Sequence, residues 1–96
     1  MFTWTPKKNR DNKEKHGFYL SDITDVFEDT HALEFYDEGH SSIGDERYIF
    51  MGRITETMVL TIIFEDRGEE CHLISAREAT PEEEKAYNEN YKRETG

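Results

Sequence analysis

The hydrophobic positions of this chain change their period twice, and the changes divide it into three zones. In the first zone the boundaries are marked by punctuation and hardly at all by apolar residues. Thr5-Pro6 reads as a helix start, with threonine at the N-cap and proline at the first helical position. Polar, helix-permissive residues follow over 7–15, and Gly17 stands where a helix-stopping glycine is expected. A second start at Ser21-Asp22 precedes Ile23, Val26 and Phe27, which share one helical face with Leu20 and predict a second helix ending near residues 28–30.

The middle zone alternates with period two. Residues 32–36 form a short apolar run, and 37–45 form a polar, glycine-bearing loop. Residues 47–53 place Tyr48, Phe50 and Gly52 on one face of a strand and Ile49 and Met51 on the other. Residues 56–64 are apolar on both faces, so this strand is expected at the centre of a sheet. A glycine-bearing turn at 65–69 leads to a last strand over 71–77. Connections this short imply antiparallel neighbours. In the third zone, Thr80-Pro81-Glu82-Glu83 combines an N-cap, a proline and a capping-box glutamate. Ala86, Tyr87 and Tyr91 then make a narrow apolar stripe on a charged helix. The pattern predicts an α+β fold: two N-terminal helices, a four-stranded antiparallel sheet covered on one face by helices, and a C-terminal helix.

Composition narrows this. With 96 residues the chain is read as a single domain, 1–96. Only 34% of residues are hydrophobic, but aromatics reach 12%, enough bulk for a small core. The single cysteine, Cys71, cannot form an intrachain disulfide, and the first residues show no apolar targeting segment, so a cytoplasmic location and no membrane partner are expected. The net charge is −10, from 22 acidic and 12 basic residues, which taken alone opposes nucleic-acid binding. The charge is uneven, however: residues 1–17 hold five Lys or Arg and two acids.

No phosphate-binding glycine loop, nucleophile elbow or paired-cysteine metal motif occurs. The four histidines are scattered, and the adjacent Cys71 and His72 would point to opposite sheet faces, so neither a metal nor another cofactor is expected. His16, just before Gly17, reads either as a complement to the helix dipole or as a proton carrier. Arg47 and Arg53 bracket one strand, Arg67 sits in a turn, and Arg77 ends an apolar strand directly before a capped helix. Each is open to an ion-pair reading and to a phosphate-binding one. Tyr48, Phe50 and Phe64 are open both to a core role and to base stacking.

These residues also carry a family resemblance. Phe2-x-Trp4, Lys8, Asn12 and Lys15-His16-Gly17 are followed by Val26-Phe27, Tyr36-Asp37-Glu38 and His40-Ser41. Glu46-Arg47-Tyr48-Ile49, Gly52-Arg53 and Ile74-Ser75-Ala76-Arg77-x-Ala79 complete the set. In this pattern the chain resembles the BrnT family of ribonuclease toxins along nearly its whole length. The resemblance implies a RelE-like fold, RNA cleavage without a metal, and silencing by a BrnA-like antitoxin. The ribbon-helix-helix end of that antitoxin would make the only, indirect, contact with DNA. It also implies His16, Arg53, Arg77 and Tyr48 as catalytic candidates and Arg47 as a substrate-binding one; Arg67, in its turn, and His72, on the last strand, join Arg47 as substrate-binding candidates from their own chemistry. Three features depart from the family pattern: Glu78 replaces an expected lysine, His72 stands where a more basic residue is usual, and Glu82-Glu83-Glu84 opens the last helix. Each weakens phosphate attraction, and this keeps a second expectation in play, a non-catalytic acidic module that acts through protein contacts. Arginines converging on one surface would favour the nuclease; arginines each tied to an acid would favour the binding module.

Overall fold

The computed structural model describes residues 1–96. Its elements are β1 (Phe2–Thr3), α1 (Pro6–His16), β2 (Leu33–Tyr36), β3 (Glu46–Arg53), β4 (Val59–Arg67), β5 (Glu70–Glu78) and α2 (Pro81–Thr95). The strands form one sheet in the order β1-β5-β4-β3-β2. β4 is therefore the central strand, as its two apolar faces predict.

The expected architecture needs three corrections. The sheet has five strands rather than four and is mixed, because β1 runs parallel to β5, with Phe2 opposite Cys71 and Thr3 opposite His72. Two residues are too few to show a period, and the short-connection rule says nothing about strands joined through most of the chain. The second predicted N-terminal helix is instead a pair of 3₁₀ turns, Leu20–Asp22 and Thr24–Glu28. Leu20, Ile23 and Val26 are fully buried and recur every three residues, which is the 3₁₀ period and not the α one. Neither turn has a side-chain cap, so nothing local favours extending it. The RelE-like arrangement of two leading helices before four antiparallel strands is thus replaced by one helix, two tight turns and a mixed sheet.

Helix placement also differs from a sheet covered on one face. The 3₁₀ segment packs its three apolar residues on one face with Phe50, Leu60, Ile62, Phe64, Leu73 and Ala76. Gly52 makes this approach possible, since a Cβ there would lie 2.8 Å from Val26 Cγ1. On the opposite face α2 seats Tyr87 against Met51 and Val59. α1 lies along β5, where the sheet edge is short of a partner. Beyond β1, the buried Asn12 takes the part of a neighbouring strand. Its Nδ2 donates to the Ala76 carbonyl (2.9 Å) and the Phe18 carbonyl (2.7 Å), and its Oδ1 accepts from the Ala76 N–H (3.0 Å). This meets the demand that buried backbone groups be paired.

The predicted caps form. Thr5 accepts from the Lys8 N–H, and Gly17, at φ 85°, closes α1 by donating to the Lys13 carbonyl. Thr80 and Glu83 make the reciprocal capping box. No helix is long and apolar enough to cross a membrane.

Candidate active site

The two sheet faces differ in chemistry, and strand register decides which residues share a face. Met51, Thr61 and Arg77 lie on the α2 side: Met51 packs with Tyr87, while Thr61 and Arg77 both donate to Glu83. Alternation then places Ile49 and Arg47, and Ile63 and Glu65, on that side. In β5 the register shifts between Ile63 and Phe64 of β4, pairing Ile63 with Ser75 but Phe64 with Leu73. The extra residue, Ile74, is a β-bulge. It brings His72 onto the same face as Arg77, although simple alternation would separate them. All four candidate arginines and His72 thus occupy one face.

Along β5 this face meets the basic side of α1. An open groove of about 430 Å³ is lined by Thr5, Lys8, Lys15, His16, Ile74 and Ser75, among others. His16 holds its proton less readily than an ordinary histidine, through burial first and then the charges of Lys15 and Arg77. His72 is lowered too, by burial and then Arg67, with Lys8 adding and Glu65 opposing. Lys8, Lys15 and His16 line this groove together with Asp11, and Arg67, His72 and Arg77 lie on the sheet face beside it, which makes a basic track along β5. The track stands out because the chain outside residues 1–17 has only seven Lys or Arg against twenty acids.

The arginines are held differently. Arg77 makes a bidentate pair with Glu83 (2.7 and 3.1 Å) and also donates to the Glu78 carbonyl. Three of the five N–H donors of a guanidinium are then in use. The same pair pushes the Glu83 carboxyl down to about 2, against its partial burial and with help from the Thr80 N–H and Thr61 hydroxyl. Arg67 pairs with Glu65 at 3.1 Å. Arg53 pairs with no carboxylate and lies over the rings of Tyr91 (4.2 Å) and Tyr87 (5.4 Å). Arg47 also lacks a carboxylate partner, and its Nε is the one buried side-chain polar atom without a hydrogen bond.

Tyr48 is apart from this group. It faces the other way, stacking on Phe64 and meeting Tyr36 edge-on. Burial and then the carboxylates of Glu46, Asp66 and Glu34 push its hydroxyl pKa up, a setting that repels phosphate. Phe50 and Phe64 are core residues. The exposed aromatic on the arginine face is Phe35, next to Ile49, which the sequence pattern did not single out. Lys8, Lys15, Asn12, Glu65 and Glu83 were also missed as site-forming residues. The first three do lie within the resemblance motifs, and that was the available signal.

The family model described as ribonuclease toxin, BrnT, of type II toxin-antitoxin system matches residues 4–83. This chain belongs to the BrnT family. The crystal structure of the ribonuclease toxin BrnT from Brucella abortus is similar, with 25% identity and a TM-score of 0.65. That match covers 83% of this chain and 97% of the Brucella one. No curated protein matches the chain. Within the BrnT frame, one acidic departure acquires a structural role. Glu83 completes the capping box of α2 and pairs with Arg77, whereas Glu78 offers that guanidinium only its backbone carbonyl, which any residue there would supply.

Proposed function

We propose that this BrnT-family chain is a metal-independent endoribonuclease that acts in the cytoplasm and is neutralised by a BrnA-like ribbon-helix-helix antitoxin. The observation that carries this reading is the basic track along β5, the one concentration of cations in a strongly acidic molecule. RNA cleavage without a metal uses the substrate's own 2′-OH as nucleophile. The enzyme then has to hold the phosphate, offset the charge of the pentavalent transition state and move two protons. Arg77, Arg67 and Arg47 supply permanent positive charge in a geometry suited to phosphate oxygens. Lys8 and Lys15 extend the grip along the RNA backbone, and His16 and His72 are the two imidazoles on the track. Arg53, shielded by its tyrosines, and Tyr48, on the far face among acids, have a weaker claim on the substrate.

The antitoxin is a protein with basic or extended segments. The edge strand β2, with Phe35 and Tyr36 exposed, and the acidic outer side of α2 offer it an edge to extend and a charge to match. DNA is reached only through the antitoxin.

Induced expression of this chain alone in a bacterial culture, with bulk RNA run on a gel, tests the reading. Growth arrest with RNA loss in the wild type, and neither in Arg77→Ala, is expected. One observation favours the alternative of a non-catalytic binding module: Glu83 and Glu65 neutralise Arg77 and Arg67. Normal growth and intact RNA at equal soluble expression would select it.

A further inference from the structure

One cross-strand row stands out at the end of the sheet that α2 leaves uncovered. Arg47 on β3 is directly opposite Glu65 on β4, Glu65 is opposite His72 on β5, and His72 is opposite Thr3 on β1. The four side chains lie on one face, side by side across four strands. Directly opposed residues have Cβ atoms about 4.5–5.5 Å apart. Glu65 is nearly buried, and Arg67 holds it from the flank. The Thr3 hydroxyl shares a hydrogen bond with His72 Nδ1 at 2.8 Å, which fixes the ring and leaves Nε2 without a protein partner. The orphaned Arg47 Nε belongs to the same row. A buried donor without an acceptor is costly, so the Arg47 guanidinium has an unmet demand for one.

We propose that Glu65 and His72 are the general base and general acid of RNA cleavage, with Arg47 and Arg67 on the phosphate between them. The inference rests on the ribonuclease reading and deepens it. The Glu65 carboxylate takes the proton of the 2′-OH as that oxygen bonds to phosphorus. The bond from phosphorus to the 5′-oxygen breaks, and protonated His72 gives its Nε2 proton to the departing oxygen. The products are a 2′,3′-cyclic phosphate and a 5′-hydroxyl. Transfer of the proton from Glu65 back to His72 restores the enzyme, so no proton is gained or lost overall. His16 and Arg77, farther along the track, hold the flanking RNA.

The charged groups that face this couple are few. His72 meets Glu65 and Arg67 across β4, Glu70 on its own strand and Lys8 from α1; Glu65 meets Arg67, Arg47 and His72. The balance of burial, Arg67 and Lys8 over the acids puts the His72 pKa below its ordinary 6.5. The alkaline limb of kcat/KM, which reports the free enzyme, is expected there.

The test uses the purified full chain and an RNA oligonucleotide, with product ends identified and kcat/KM measured against pH. The wild type should give cyclic-phosphate ends and a bell-shaped profile. Glu65→Gln and His72→Gln should each lower kcat/KM by roughly 10²–10⁴-fold, and His72→Gln should also lose the alkaline limb. His16→Gln, which removes a contact to the flanking RNA, should raise KM and leave the alkaline limb in place. A wild type that cleaves, with both row variants unchanged in rate and profile, would overturn this assignment and leave the ribonuclease reading standing. A wild type that cleaves no RNA overturns that reading, and this one with it. Should a variant fail to fold by circular dichroism, the wild-type profile decides alone, since a flat profile is incompatible with the couple.

Discussion

The two helices are attached to the sheet by the same device and carry opposite charge. α1 buries a single residue, Asn12, and α2 a single residue, Tyr87. Neither has the broad apolar stripe of an ordinary surface helix. Each is held by polar bonds from its anchor: Asn12 to the β5 edge, and the Tyr87 hydroxyl to Asp29. Because one narrow contact suffices, the other helical positions are free to carry charge. α1 places Lys8, Lys15 and His16 beside β5, while α2 places Glu83 onto Arg77. One helix brings cations to the track and the other restrains a cation already there.

The largest way to break this comparison is at Asn12. Asn12→Ala leaves the Ala76 N–H and C=O buried and unpaired. A loss of roughly 3 kcal/mol is expected, at 1–3 kcal/mol per orphaned group, read from the urea midpoint. Glu83→Gln comes next, at roughly 2 kcal/mol near neutral pH for weakened charge-assisted bonds. The Glu83 pKa is depressed in the folded state, from 4.5 to about 2. Its contribution is therefore complete above the unfolded value and is lost as pH falls from 4.5 toward 2. Wild type and variant should converge in thermal melts across that window. With Arg77 released, the variant should also bind RNA more tightly.

How far the sequence reveals this arrangement depends on the range of each interaction. Thr5-Pro6, Gly17 and the Thr80–Glu83 capping box act within one helical turn, and they are readable because cause and effect lie side by side. β4 is readable because both its faces are apolar. The pairing of β1 with β5 joins opposite ends of the chain through two residues, too few to leave a pattern. The 3₁₀ turns share their apolar spacing with the start of an α-helix, and only the buried trio Leu20, Ile23 and Val26 separates the two. The site is harder still. His72 and Arg77 have opposite parity, and only the bulge at Ile74 brings them to one face. Asn12 looks like a solvated helix residue, and Glu83 like a capping glutamate and nothing more, until their partners, Ala76 and Arg77, are folded against them. The family motifs do mark Lys8, Asn12, Arg47 and the Ile74-to-Arg77 segment, but they say nothing of Glu65 or of the row that joins it to Arg47.

Two smaller effects sharpen the comparison. Tyr87→Phe removes one hydrogen bond to Asp29, which burial disfavours as an anion but which the Arg53 and His31 N–H groups still stabilise. The expected cost is about 1 kcal/mol, or a Tm lower by roughly 4–8 °C. Lys15→Ala should change stability by less than about 0.5 kcal/mol, since the residue is exposed. It should lower RNA affinity evenly across sequences and reduce the salt slope of binding by about one.

The central claim is that RNA lies on the α1–β5 track and not on the aromatic, acidic face around Tyr48. The most direct measurement is amide chemical-shift mapping of the ¹⁵N-labelled chain with a 2′-O-methyl RNA oligonucleotide that cannot be cleaved. Shifts at Lys8, Lys15, His16, His72 and Ser75, with Tyr36 and Tyr48 unmoved, are the predicted result. Shifts centred on Tyr36, Tyr48 and Glu46, with the β5 track silent, would contradict the account.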